Sequence, residues 1–140
     1  HAIHVANAHT DGDAIVHFVN ANVMHLGDTF FVARFPFIDT ATGGSIDGLI
    51  AAVERALSLA DGETRIIPGH GPLSDRSDLQ AYGEALQGMR DAVAAQIDAG
   101  RSVEETLAAR PIRPWAEAWG QSEAQESSFV ATLFASLSGG

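Results

Sequence analysis

Residues 64–72 read TRIIPGHGP, a β-branched run that stops in a loop built almost wholly of proline and glycine. Ile66 and Ile67 favour a strand, and Pro68, which fixes φ and has no N–H, is expected to end it. Gly69 and Gly71 permit unusual backbone angles, so the only side chain left in the loop with chemistry to offer is the imidazole of His70. Downstream, Leu79, Tyr82, Leu86, Met89, Val93 and Ile97 recur at helical spacing until Gly100, with Ser77 and Gln80 at capping-box distance. Upstream, Ile46, Leu49, Ile50, Val53 and Leu57 form one face of a second helix, with Ser45 as its N-cap and Gly43-Gly44 breaking the chain before it. A strand set between amphipathic helices gives an α/β order.

Further toward the start, residues 2–8, 14–19 and 22–26 are short β-branched runs separated by polar turns, and the pattern predicts three strands. Beyond Gly100, Ser102 and Glu105 have capping-box spacing for another helix, and residues 127–137 place Phe129, Leu133 and Leu137 on one face of a last one. Trp115 and Trp119, four apart, read as a helix face or a cover over the core.

Composition sets the outer limits. A chain of 140 residues, 46% hydrophobic, suits one compact domain, residues 1–140. Eighteen acidic residues against eight basic ones, a formal charge of -10, repel a phosphate backbone, so nucleic acid is not an expected partner. No apolar run reaches the roughly 18 residues needed to cross a bilayer, so no membrane partner is expected either. Without cysteine there is no thiolate ligand and no thiol nucleophile, and any metal must be held by imidazole and carboxylate. The chain opens on His1 and not on methionine, which suggests a piece of something longer.

Three polar residues fall just after the predicted strand ends, where α/β sheets gather their ligands: His9 in HTDGD (9–13), Asp28 in HLGDTFF (25–31), and His70. Asp11 and Asp13 suit a turn, and Asp13 is also placed to orient a ligand histidine. His17 and His25 alternate with apolar residues inside strands and are expected to pack or face solvent; His1 and His4 are read as incidental. No serine or cysteine nucleophile with a supporting base is visible.

The ordered set AHTDGDAIVHF (8–18), HLGDTFF (25–31) and IIPGHGPLS (66–74) resembles the second half of a metallo-β-lactamase-fold hydrolase, in the superfamily that also contains glyoxalase II and several lactonases. The resemblance implies the C-terminal half of an αββα sandwich, one mixed β-sheet with packed helices, with a dinuclear metal site at one edge. It implies that His9 ligates one metal, that His70 ligates the other, and that Asp28 bridges both. A bridging Asp is similar to glyoxalase II and the lactonases, and unlike the β-lactamases that place cysteine or serine there. Two zinc ions are implied, with manganese or iron as alternatives, since nitrogen and oxygen ligands suit all three. The implied activity is attack by a metal-bound hydroxide on the ester, thioester, lactone or amide carbonyl of a small-molecule substrate.

One departure qualifies the implied site. The family's His-x-His-x-Asp-His string is absent, and His1, His4 and His9 have the wrong spacing for it. Each metal would keep one histidine and a share of Asp28, whereas zinc sites use three or four protein ligands. The chain is therefore expected to be half of a site, inactive alone. Its complement would be a missing N-terminal half or a second chain, in a homo- or hetero-oligomer. The alternative is a metal-free, non-catalytic half-fold that acts as a dimerisation or interaction domain.

Overall fold

In the computed structural model, which describes residues 1–139, four strands form one sheet in chain order: β1 (Ala2–Val5), β2 (Asp13–Phe18), β3 (Val23–Phe31) and β4 (Arg65–His70). The first three run antiparallel, and β4 lies parallel to β3. Parallel neighbours need a crossover, supplied here by α1 (Ile46–Leu59). Four more helices follow: α2 (Arg76–Asp98), α3 (Val103–Ala109), α4 (Arg113–Ala118) and α5 (Glu123–Ser138).

The helices cover one face of the sheet. Ile15, Met24, Leu26 and Ile66 point to that face and are fully buried against a core that includes Leu49 and Val53 of α1, Leu79, Leu86 and Met89 of α2, and Leu133 of α5. Each large side chain removed from water in this way contributes about 1.5–3 kcal/mol. Trp115 and Trp119 pack over the edge of the core, partly exposed. Strand register assigns His4, Val16, Phe18, Val23, His25 and Ile67 to the opposite face, and none of these six is buried. That face of the sheet is thus at least partly open to solvent along all three of the longer strands.

Several elements differ from their sequence-based expectation. The first strand stops at Val5 because Asn7 turns the chain out with φ 55°. The third does not end at residue 26 but runs to Phe31, so Asp28 lies within it. The fourth passes through Pro68 to His70; as an edge strand it tolerates a residue that has no N–H to donate. The box that caps α2 is Asp75 with Asp78, not Ser77 with Gln80: Asp75 Oδ1 accepts from Asp78 N at 2.9 Å, and Asp78 Oδ2 from Asp75 N at 3.0 Å. The expected Ser102–Glu105 box does cap α3, while α5 begins earlier than residue 127, behind a Ser122–Gln125 box.

The start of the β3–β4 pair is pinned by a polar cluster. Asn22, in the left-handed region at φ 52°, donates from Nδ2 to Asp61 Oδ1 at 3.0 Å and accepts at Oδ1 from Thr64 Oγ1 at 2.8 Å. Its carbonyl accepts from Arg65 N at 3.1 Å. Hydrogen bonds from the Asn22 side chain, then from the Glu63 N–H and the Thr64 hydroxyl, hold the Asp61 carboxyl below its ordinary value. A depressed folded-state pKa adds stability above the unfolded value of about 3.9, and that stability disappears as pH falls through the folded value. Asp61→Asn should therefore unfold at lower denaturant than the parent at pH 7, and the difference should close on acidification below about pH 4.

Candidate metal centre

His9 stands in the loop between β1 and β2, clasped by the segment that leads into α1. Its carbonyl accepts from Asp39 N at 2.8 Å, and its Nδ1 lies 2.5 Å from Phe37 O. A carbonyl only accepts, so Nδ1 carries a proton, which leaves Nε2 as the ring nitrogen available to ligate a metal. Asp39 caps its own turn by accepting from Ala41 N and Thr42 N, and its carbonyl accepts from Gly44 N at 2.8 Å. The two segments lie so close that a Cβ at Gly44 would collide with the His9 carbonyl. Asp13 is committed elsewhere in the loop: its oxygens accept from Thr10 N at 2.8 Å and Thr10 Oγ1 at 3.2 Å. The group that orients the His9 imidazole is the Phe37 carbonyl, not Asp13.

Asp28 owes its position to an irregular stretch of β3. His25 pairs with Ile67 and Gly27 with Pro68, so β3 spends an extra residue there. Such a bulge re-aims the side chains that follow it. Gly27 absorbs the bend with φ 53°, its N–H donates to His25 Nδ1 at 3.0 Å, and Thr29 Oγ1 donates to Leu26 O at 2.7 Å. His25, exposed in keeping with the expectation that it packs or faces solvent, also secures the bulge. Across the ladder, a Cβ at Gly69 would collide with Asp28 Oδ1 and stand 2.5 Å from Gly27 O. The glycine is needed there for close approach and not for an unusual φ; the left-handed residue of that loop is Gly71, at φ 117°. His70 ends β4 with its ring edge-on to Phe31 at 4.6 Å.

These placements bring the three residues together. Asp28 Oδ2 lies 3.5 Å from His9 Nε2, and Asp28 Oδ1 lies 3.3 Å from His70 Nε2. Charge-assisted hydrogen bonds are shorter, about 2.7–2.9 Å. Two atoms that each ligate one tetrahedral ion at about 2.1 Å stand roughly 3.4 Å apart. The spacing therefore fits donors that share a cation. The His9 side chain is 18% exposed, Asp28 41% and His70 51%, so the cluster opens to solvent on the Asp28–His70 side. Imidazole and carboxylate suit zinc, manganese and iron alike. In number the donors fall short: among the described residues no group of three or more His, Asp or Glu is placed to hold a metal ion.

Solved structures share this architecture. A metallo-beta-lactamase from Pontibacter korlensis superposes with a TM-score of 0.52 and 17% identity, over 61% of this chain and 40% of its own. The BLEG-1 B3 metallo-beta-lactamase does so at 0.50 and 23%, over 62% and 41%. This chain has part of the metallo-β-lactamase fold. A double mutant of the sec-alkyl sulfatase PisA1 aligns with 97% of the chain at a TM-score of 0.65 and 11% identity. That alignment takes in 24% of the sulfatase, so the chain spans well under half the length of each of these structures. No family model and no curated protein matches the sequence.

The remaining histidines stay apart from the cluster. His4 Nε2 lies 2.8 Å from Asp11 O, and the His1 amino group donates to His17 O at 2.8 Å. Gly69→Ala tests how tightly the centre is built. Its methyl group must push the Asp28 carboxylate or the β3 backbone aside, a strain of about 1–3 kcal/mol. The expected outcome is a lower midpoint in urea and displaced side-chain resonances of His70, read by NMR.

Proposed function

We propose that this chain supplies one half of a dinuclear metal centre in a metallo-β-lactamase-fold hydrolase, with His9 on one metal, His70 on the other and Asp28 bridging them. The observation that carries the reading is the division of one carboxylate between two imidazole nitrogens at 3.5 and 3.3 Å, with the proton of His9 committed to Phe37 O. Zinc is the ion the donors suit, with manganese or iron as alternatives. Such ions polarise a carbonyl and lower the pKa of water, and the proposed reaction is hydrolysis of an ester, thioester, lactone or amide in a small molecule. Within the chain, the Phe37 carbonyl fixes which nitrogen of His9 faces the metal, and Gly69 leaves room for the Asp28 carboxylate.

The proposal is tested by titrating zinc into the 15N-labelled chain and observing histidine ring nitrogens. His9 and His70 Nε2 should shift together, weakly and without saturation at stoichiometric zinc, and Asp28→Ala should remove both shifts. No ester or lactone should turn over at an enzymatic rate. Ring nitrogens indifferent to millimolar zinc, or shifts unchanged in Asp28→Ala, would sink the assignment.

The missing ligands are proposed to come from a further segment or chain that covers the free face of the sheet. Phe18 and Val19 are 54% and 53% exposed at the end of β2, large apolar side chains that such a cover would bury. With no complement present, two copies meeting about a two-fold axis are the simplest cover. Sedimentation should show self-association at high micromolar concentration, and Phe18→Glu should return the chain to a monomer.

A further inference from the structure

Beside the His9 loop lies a groove of about 220 Å³, bounded by the segment Phe35–Ile38, by Gln121 and by one side of α5. Its floor is a stacked pair, Phe35 on Phe129, with centroids 4.9 Å apart and planes 14° from parallel. One wall is Phe37, 64% exposed although it is a large apolar residue. The far rim is Gln125, Ser128 and Thr132. No charged side chain lines it, in a chain whose formal charge is -10.

Phe37 ties this groove to the metal centre. Its carbonyl holds His9 Nδ1, and its ring meets the His9 ring edge-on at a centroid distance of 5.8 Å. A group lying on Phe37 is therefore one aromatic ring away from His9. Apolar cavities of about 150 Å³ accept benzene, so the space here takes a phenyl ring with its linking atoms or a short alkyl chain. A carboxylate or phosphate entering it would lose water with no cation in return, a heavy cost.

We infer that this groove receives an uncharged aromatic or alkyl group of the substrate, with the scissile carbonyl held over His9, Asp28 and His70. The inference rests on the reading of the centre given above. It narrows the substrate class to neutral aryl or alkyl esters, lactones and amides, and excludes substrates whose recognised end is an anion.

The test uses the 15N-labelled 140-residue chain without metal, so that it stands apart from the zinc titration. Two probes share one ring and differ in charge: 2-phenylacetamide and phenylacetate. The amide should shift the backbone resonances of Phe37, Gln125, Ser128 and Thr132 along one saturating curve, and the anion should bind at least about tenfold more weakly. Ser128 is exposed on α5, so Ser128→Glu should abolish the response to phenylacetamide while leaving the circular dichroism spectrum and Tm unchanged. Equal binding of both probes, shifts confined to another surface, or no effect of Ser128→Glu would each overturn the inference. If Ser128→Glu fails to fold, Phe37→Ala, which keeps the carbonyl that holds His9, takes its place, and unchanged binding by it overturns the inference equally. Groove binding in a chain whose His9 and His70 ignore zinc would refute the reading of the centre; zinc shifts without groove binding would refute the groove alone.

Discussion

The parallel pairing of β3 with β4 is the constraint on which the rest of the structure depends. Two strands that run the same way cannot be joined by a hairpin, so the chain must leave the sheet after Phe31, descend α1 and return at Arg65. That excursion supplies the helix that buries Met24, Leu26 and Ile66. It also creates the connecting segment that reaches across to His9. The pair is fixed at its start by Asn22 against Asp61 and Thr64, and it loosens toward its end, where Asp28 and His70 meet. Regular pairing would give β3 no surplus residue with which to turn a carboxylate toward the sheet edge.

Much of this was legible in the sequence, for reasons that differ from residue to residue. Helical periodicity located α1 and α2 because packing against a sheet demands an apolar stripe, and Leu49, Val53, Leu79 and Leu86 form it. The motifs singled out His9, Asp28 and His70, and the structure brings the three side chains together, although Asp28 lies inside β3 and not beyond its end. Strand ends were harder to read. Pro68 reads as a terminator until β4 proves to be an edge strand, a fact that depends on the order of the whole sheet. The Phe37 carbonyl left no signal at all, since every residue carries a carbonyl and only tertiary placement selects this one. Asp13 was the natural candidate for that role by proximity, yet Thr10 lies nearer and offers it two donors.

The segment from Phe35 to Ser45 takes part in several elements at once. It stacks on α5 through Phe35, orients a histidine through Phe37, closes its own turn through Asp39 and caps α1 through Ser45. Pro36 and Ile38 are buried on either side of the exposed Phe37, so the segment is anchored at short intervals. A strain introduced at one end reaches the His9 ring within a few residues.

The division of Asp28 between two imidazoles has a consequence in symmetry. A carboxylate is two-faced: its oxygens are equivalent, and either can serve either neighbour. An amide of the same shape is not, because one of its ends accepts and the other donates. Asparagine at this position would have to choose which histidine receives its oxygen and would present hydrogens to the other. The same silhouette would thus turn an even division into a polar one, and the cluster would lose its indifference between left and right before it lost any volume.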